Sequence, residues 1–480
     1  MNTPYERFVP YEFRRRALEL RRTDWLDESR FEVHDARHLA GPDGDLAAFI
    51  RRASNIDRPV TIDLGRGTYR MNGRVDLPNT AGVVLHGDGA TIQYRGTNAS
   101  MLFRLGVRDG RLTANARMGA MIGVDFDIRG PDPRNRRLDT DVGILTGRFH
   151  ETFYAENVRL RGNRHSWQKV GGEYRRIGSR MTWRVDMVRP DAFAYYYRLR
   201  LPDGDIHTPE AYQGQTGSVA GHAIPISADP PHRGVNLYHE CEVRDFFDNG
   251  YYVSNNNGIN CLWGCYVENC VAGNMRIGHN DLVVGGTSRQ DSSGRDGRNG
   301  QCLTVDRGDN VRVVGLHCEG FDFGASEAIQ LRTQAEEVDL VGVTLDARSG
   351  RRPVRLSRGG SGRANVRVRG CDWRDTGPRG TRTSVYINNA NVQFEGSRLR
   401  VSRKDDVWVR TGSVNGRRPG RYSARQLGLT GSPAPIDEFL DPEPLIDWDR
   451  AGPRGRDRSR QYRALLDLEQ TLKELTEILS

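Results

Sequence analysis

A short repeated unit in the second half of the chain restricts its fold more than any other feature. Each copy reads apolar-x-apolar-x-Gly and leads directly into apolar-x-apolar. The residues that follow four of these glycines, at positions 316, 343, 371 and 397, are 27, 28 and 26 apart. A period of this length is typical of a solenoid of stacked coils. The four copies begin with Val311-Arg312-Val313-Val314-Gly315, Val338-Asp339-Leu340-Val341-Gly342, Val366-Arg367-Val368-Arg369-Gly370 and Val392-Gln393-Phe394-Glu395-Gly396.

A second strand accompanies these copies, and its apolar and polar residues alternate as in a half-buried β-strand. One coil cannot bury its inward side chains alone, so coils must stack and place equivalent residues in ladders along the axis. The alternative is a β-sandwich with regular turns, but the near-constant period of a two-strand unit favours the solenoid. The predicted internal apolar ladder consists of Val253, Ile277, Val305, Leu331, Leu356 and Ile387.

The first coil resembles the opening of a known superfamily. The segment from Val60 to Tyr69, followed by that from Val83 to Ile92, is similar to the start of pectate-lyase-like right-handed parallel β-helix proteins. The resemblance covers roughly residues 41 to 400 and implies an all-β, right-handed parallel β-helix solenoid. It also implies a short N-terminal helix that caps the solenoid, for which Leu46, Phe49 and Ile50 have suitable spacing. The superfamily includes polysaccharide lyases, glycoside hydrolases, epimerases and virus tail spikes, so the fold does not determine the function.

The sequence predicts four consecutive segments, one of which is the solenoid. Residues 1–40 form an N-terminal helical attachment segment, and residues 41–400 form the β-helix, with an aromatic-rich insertion at 163–232. Residues 401–458 are rich in proline and predict an irregular linker. Residues 459–480 predict an oligomerising coiled-coil helix, because Leu465, Leu468, Leu472, Leu475 and Leu479 are spaced 3, 4, 3 and 4 apart. A packed terminal helix is the alternative for this short seam.

Charge and cysteine content exclude several functional classes. The net charge is +9, but the basic residues are spread through the chain and mixed with 62 acidic ones, which does not favour nucleic-acid binding. The seven cysteines are an odd number and lack the spacing of a zinc site, so we expect buried thiols, no metal and no cofactor. No apolar stretch approaches the roughly 20 residues of a membrane span, and the start has no apolar region typical of a secretory signal.

Catalytic motifs of the superfamily are absent, so candidate residues come from chemistry alone. Glycosidic cleavage requires two carboxylates, and lyase or epimerase chemistry requires a base and a cation near the acid group. The candidate catalytic residues are Asp245, Asp248, His279, Asp306 and Asp309. The candidate substrate-binding residues are Trp167, Trp183, Tyr195, Tyr197 and Arg276. Two alternatives remain open: Asp248 and Asp309 as turn residues, and the aromatic rings as packing within the insertion.

Three functional hypotheses follow. The first is a homotrimeric virion protein, such as a tail spike, fibre or capsid decoration, that binds a host-surface polysaccharide, with degradation of that polysaccharide left open. It contacts other virion proteins through its N-terminal segment. The second is a stand-alone polysaccharide lyase, hydrolase or epimerase, located in the cytoplasm or secreted by a non-classical route. The third is a purely structural solenoid without a ligand. The expected location under the first hypothesis is the virion.

Overall fold

A computed structural model describes most of the chain, and its strands wind into a three-sided solenoid. It describes residues 5–22, 30–41, 43–77, 81–95, 101–105, 107–108, 111–112, 116–128, 143–162, 167–170, 173–176, 181–204, 224–246, 248–290, 300–320, 327–348, 353–359, 362–377, 383–401 and 406–440. In these residues, 36 strands belong to one hydrogen-bonded sheet. Successive coils contribute strands to three faces in turn, which we call sheet 1, sheet 2 and sheet 3.

Strands on each face pair in parallel with the strands of the coils before and after them. Sheet 1 contains Glu32–Asp35, Val60–Gly65, Phe193–Tyr197, Val235–His239, Ile259–Trp263, Leu282–Val284, Val311–Val314, Glu337–Val341, Ala364–Arg369, Ala390–Glu395 and Gly412–Val414. Sheet 2 contains Thr68–Met71, Arg159–Arg161, Arg200–Leu201, Glu242–Arg244, Tyr266–Glu268, Thr287–Gln290, His317–Gly320, Thr344–Ala347, Asp372–Asp375 and Arg398–Val401. Sheet 3 contains Val75–Leu77, Met101–Leu105, Met181–Met187, Ile224–Ser227, Asn249–Tyr252, Gly273–Ile277, Leu303–Gly308, Ile329–Ala335, Val354–Ser357, Val385–Asn388 and Val407–Val409.

The remaining elements either bend between faces or lie outside the three sheets. Val83–Tyr94 and Ala116–Asp127 each run from sheet 1 into sheet 2, and Gly143–Glu156 runs from sheet 3 into sheet 1. Antiparallel pairs are Val107–Arg108 with Arg111–Leu112, Trp167–Val170 with Glu173–Arg176, and Val407–Val409 with Gly420–Tyr422. The α-helices are Tyr11–Arg21 and Leu46–Ala53, and the 3-10 helices are Glu6–Phe8, Arg37–Leu39, Arg425–Leu427 and Ile436–Glu438.

The parallel β-helix and its internal ladder, both predicted from the repeat, are confirmed. Ile277 pairs with Val305, Val305 with Leu331, and Leu356 with Ile387, all on sheet 3. All six residues of the predicted ladder are at most 1% exposed. Because each ladder residue covers its equivalents in the neighbouring coils, the apolar core runs continuously inside the solenoid.

The repeated glycines form the corner between sheets 1 and 2. Gly315 has a φ of +65°, and Gly342 has a φ of +59°. A left-handed backbone carries little steric cost only in glycine. A Cβ at Gly315 would also lie 2.4 Å from the ring of Tyr5, so this corner requires glycine both for its backbone angle and for the close approach of the N-terminal segment.

The helix that was expected to cap the solenoid is Leu46–Ala53. Asp45 begins it, and its side chain accepts a hydrogen bond from the backbone N–H of Ala47 at 3.1 Å, which satisfies one of the free donors of the first turn. Leu46, Ala47 and Ile50 are fully buried and join the solenoid core. This helix therefore closes the apolar end of the stack.

The N-terminal segment folds back onto the solenoid. Phe8, Phe13 and Ala17 are at most 3% exposed and belong to a second apolar cluster on the outer face of sheet 1. The ring centre of Phe13 lies 6.0 Å from that of Phe193. By contrast, Leu18 is 57% exposed, so one side of the helix packs on sheet 1 and the other faces solvent.

The strands of the solenoid extend beyond several of the predicted boundaries. The solenoid begins at Glu32, whose strand pairs with Val60–Gly65, and not at residue 41. The supposed insertion at 163–232 contains regular coil strands, namely Met181–Met187, Phe193–Tyr197, Arg200–Leu201 and Ile224–Ser227. The supposed linker at 401–458 still contributes Val407–Val409 and Gly412–Val414 to sheets 3 and 1. Aromatic and proline content hid the strand pattern in both regions. The predicted helix at 459–480 lies outside the described residues.

All seven cysteines are buried and unpaired, as the sequence predicted. Among the described residues, no helix is both long and apolar enough to cross a membrane.

Candidate functional site

The outer face of sheet 3 carries a continuous row of polar and aromatic side chains. Alternation along each strand points every second residue away from the core, and parallel pairing places these residues in register along the axis. The row consists of Asp76, Arg104, Thr146, Arg184, Ser227, Tyr252, Arg276, Thr304, Gln330, Arg355, Tyr386 and Trp408.

Arg276 forms the centre of the best-defined part of this row. Its guanidinium carbon lies 4.5 Å from the centre of the Tyr252 ring, within the range of a cation–π contact. Its Nη2 atom donates to the Asp306 carboxylate at 2.5 Å, and its Nε donates to the same oxygen at 3.2 Å. Asp306 is 6% exposed. Ring, cation and carboxylate are therefore fixed relative to one another before any ligand arrives.

The next coils extend this surface with a second polar set. Arg332 donates from Nε to the amide oxygen of Gln330 at 3.2 Å. Gln330 in turn donates to Glu327 at 3.5 Å, and Glu327 lies 3.8 Å from Arg355. Partial burial and the neighbouring charge of Arg276 lower the pKa of Arg332. Sequence reasoning missed Glu327, Gln330 and Arg332, although the alternation of the strand Ile329–Ala335 places Gln330 and Arg332 on the outer face.

A groove of about 470 Å³ lies beside this surface, where sheet 3 turns into sheet 1. His279 and Asp309 both line it and form an ion pair with each other. The hydrogen bond to Asp309 raises the pKa of His279, and the same contact lowers the pKa of Asp309. Arg307 also lines the groove and donates to the side-chain oxygen of Asn255. The groove thus holds an oriented imidazole close to a guanidinium.

The structure separates the five candidate catalytic residues into two places. Asp306, His279 and Asp309 lie on sheet 3 or at its corner with sheet 1, in adjacent coils. Asp245 and Asp248 lie at the opposite corner, between sheets 2 and 3. Asp248 is 4% exposed and accepts from the backbone and side-chain nitrogens of Asn249. Asp245 has a left-handed φ of 60°. Both positions are typical of turn residues.

Three of the four predicted aromatic binding residues have described side chains, and these three lie away from the outer face of sheet 3. Trp183 is 1% exposed and packs in the solenoid core, so its ring faces no solvent. Tyr195 and Tyr197 point outward from sheet 1, but the N-terminal segment covers them; Arg21 lies 4.2 Å from the Tyr197 ring. Trp167 begins the hairpin strand Trp167–Val170, and its side chain is outside what the structure describes. Of the five candidate binding residues, Arg276 is the one placed on the outer face of sheet 3.

No metal centre is present in the described part of the chain, where no group of three or more His, Cys, Asp or Glu side chains is arranged to hold an ion.

Comparisons with known proteins give similar folds and no close relative. No family model matches the chain, and no curated protein matches it. The Agl-KA catalytic domain is similar with a TM-score of 0.47 and 11% identity, over 80% of this chain and 68% of that one. Tailspike protein 3 of bacteriophage CBA120 has a TM-score of 0.42 and 14% identity, over 83% and 63%. The mannuronan C-5 epimerase A-module of Azotobacter vinelandii has a TM-score of 0.42 and 14% identity, over 80% and 98%.

These structures include a tailspike and an epimerase, two kinds of protein named by the sequence resemblance. At such scores and identities they assign neither a family nor an activity to this chain. The strand pairing itself shows that the chain is a parallel β-helix.

Proposed function

We propose that this protein binds a host-surface polysaccharide along the outer face of sheet 3, as a virion tail spike, fibre or capsid decoration. The observation that supports this proposal best is the fixed arrangement of Tyr252, Arg276 and Asp306. Sugar sites combine apolar ring faces with a few well-placed polar groups. The outer row of sheet 3 offers that combination on a rigid scaffold.

The dimensions of the row fit an extended ligand. Six coil-to-coil steps of about 4.8 Å separate Tyr252 from Trp408, or roughly 29 Å. At the far end Trp408 offers a second aromatic ring, which packs on the largely buried Tyr386 with ring centres 5.0 Å apart. A linear oligosaccharide can lie parallel to the solenoid axis across this distance, because the backbone pairing keeps the coils at constant spacing.

The proposed location in a virion rests on the leucine seam and on the N-terminal helix. The leucine seam at 459–480 suits association of identical copies, with a trimer as the expected assembly. The exposed side of the helix Tyr11–Arg21, which includes Leu18 at 57% exposure, offers a surface for another virion protein.

A stand-alone polysaccharide lyase, hydrolase or epimerase is the second candidate, and the groove of His279 and Asp309 favours it. An imidazole fixed by a carboxylate can transfer a proton, and Arg307 can neutralise an acid group on the sugar. Asp306 already binds Arg276, and Glu327 contacts Arg355, so neither carboxylate resembles the free pair of a hydrolase. Lyase products are unsaturated and absorb in the ultraviolet, which distinguishes cleavage from binding.

Retention of polysaccharide on immobilised protein tests the proposal. Surface polysaccharides from a panel of bacteria are passed over the wild type, Tyr252→Ala, Arg276→Gln and Arg367→Gln. Arg367 is the matched control, since it is an arginine on the outer face of sheet 1. We expect at least one glycan to be retained, with tenfold or greater weakening in the two sheet 3 variants, on the order of the loss of one charge-assisted or stacking contact. Equal binding by all four proteins, or no retained glycan, would contradict the proposal.

A further inference from the structure

Within the described residues, Arg332 differs from Arg276 and Arg355 on the sheet 3 surface because no carboxylate lies within ion-pair distance of it. Arg276 is paired with Asp306 at 2.5 Å, and Arg355 lies 3.8 Å from Glu327. Arg332 has one hydrogen bond within the described residues, from its Nε to the neutral amide of Gln330. Its terminal nitrogens have no ion-pair partner in that part of the chain.

This position is unfavourable for an isolated cation. Arg332 is partly buried, and burial disfavours a charge unless a partner compensates it. The charge of Arg276 acts on it as well, and these two effects outweigh the attraction of Asp306 and Glu327, so that the pKa of Arg332 is lowered. Arg276 and Arg332 lie on strands two coils apart, with Leu303–Gly308 between them. Because Asp306 is paired with Arg276 and Glu327 contacts Arg355, this part of the row carries an excess of positive charge.

We infer that Arg332, beside Arg276 and Tyr252, binds an anionic substituent of the polysaccharide, either a uronate carboxylate or a phosphate. This inference rests on the proposed function and narrows it to acidic glycans. A planar guanidinium with free terminal N–H groups matches a carboxylate or phosphate with two hydrogen bonds. The ring of Tyr252 would then contact the apolar face of the same or the next sugar.

The nearby acidic side chains are already bound by other residues, so the expected partner of Arg332 is an anion of the ligand and not a protein carboxylate. Gln330 orients Arg332 through Nε and leaves its terminal nitrogens for a ligand. Glu327 is held by Gln330 and Arg355, and Asp306 is held by Arg276. The carboxylates of Glu327 and Asp306 are therefore bound by other side chains, and the terminal nitrogens of Arg332 remain available to a ligand.

The test compares matched forms of each glycan that the wild type retains. Native glycan, carboxyl-reduced glycan and dephosphorylated glycan are measured against the wild type, Arg332→Gln, Arg332→Lys and the sheet 1 control Arg367→Gln. We expect wild-type affinity to fall tenfold or more for one of the two treated forms, which identifies the substituent. Arg332→Gln should bind the native glycan at least tenfold more weakly than the wild type and no longer distinguish native from treated forms. Arg332→Lys should keep most of the preference, and Arg367→Gln should keep all of it.

Three outcomes overturn the inference, and they are distinguishable. Binding that is unaffected by both treatments would show a neutral recognition site, and the proposed function would survive. A preference for the acidic form that persists in Arg332→Gln would assign the anion to another residue. Absence of any retained glycan would remove the proposed function together with the inference. Melting temperatures of all variants within a few degrees of the wild type show that lost binding is not lost folding.

Discussion

The guanidinium carbon of Arg276 lies 4.5 Å from the centre of the Tyr252 ring, one coil away on sheet 3. Asp306 on the following coil accepts two hydrogen bonds from the same guanidinium. Three successive coils thus fix one cation, and the solenoid backbone keeps it in place. A surface arranged before binding loses little side-chain freedom when a ligand arrives, which favours affinity.

The internal ladder predicts that a charged substitution lowers stability far more at an inward-facing position than at the outward-facing position beside it. Leu331→Asp places an unpaired charge between Val305 and the next coil, where it has neither water nor a partner. We expect a loss of about 4–5 kcal/mol or more in unfolding free energy. Gln330→Asp is the matched control, because it introduces the same group one residue away on the outer side. Denaturant unfolding of both variants measures the difference, and equal stability would contradict the inward assignment of Leu331.

The packing of the N-terminal segment gives a second prediction. Phe13 is 3% exposed against sheet 1, whereas Leu18 on the same helix is 57% exposed. Phe13→Ala should cost about 3 kcal/mol of unfolding free energy, and Leu18→Ala should change it by about 0.5 kcal/mol or less. Thermal or denaturant unfolding checks both. Similar small effects at the two positions would mean that the segment does not pack on the solenoid in solution.

Two regions of the solenoid differ in how well the sequence predicted them. The ladder through Ile277, Val305 and Leu331 was readable because inward positions stay apolar while outward positions vary. The coil strands at 181–201 and 224–227 were not readable, because Trp183 and Tyr195 broke the aliphatic pattern although both are buried. A large aromatic residue can pack in a solenoid interior or beneath a covering helix. Composition alone does not distinguish these two locations from an exposed binding surface.

The candidate site was predicted less completely, for a reason of geometry. Arg276, Asp306, His279 and Asp309 were chosen by residue type, and the structure brings them to one side of the solenoid. Asp248 was chosen on the same ground, but it lies at the other corner. Arg332 was missed because its distinguishing property is that the nearby carboxylates of Asp306 and Glu327 pair with other arginines. That property depends on the register between coils and not on local sequence.

The ion pair in the corner groove predicts a pH response. In the wild type, His279 should titrate above the usual pKa of about 6.5, since Asp309 stabilises its protonated form. The stability that His279 gains from this pair is complete below its unfolded-state pKa and is lost as the pH rises through its higher folded-state pKa. For Asp309, whose folded pKa is lowered, stability is lost as the pH falls through that value.

Proton NMR of the imidazole signals measures this effect. Asp309→Asn should lower the pKa of His279 towards or below its ordinary value. His239 is the internal control: burial lowers its pKa to about 4, and it stacks on Trp263 at 3.6 Å, so its titration should not change. An unshifted His279 in Asp309→Asn would show that the two groups do not pair in solution.

Assembly of the chain is a separate prediction, based on the leucines at 459–480. We expect the full chain to be an oligomer, with three copies as the expected number, and a version ending at Arg458 to be smaller or monomeric. Light scattering on both versions gives the masses directly. A monomeric full-length chain would remove the argument for a leucine seam, and an unchanged oligomer after truncation would move the contact to another surface.

Hydroxyl-radical footprinting with a retained polysaccharide tests the central claim most directly, because it reports which face of the solenoid the glycan covers. We expect protection of Tyr252 and Trp408 on sheet 3. We expect unchanged reactivity at Val33, which is 44% exposed on sheet 1, and at Leu18 on the exposed side of the N-terminal helix. Protection of Val33 or Leu18 without protection of Tyr252 and Trp408 would contradict the claim that sheet 3 is the polysaccharide-binding face.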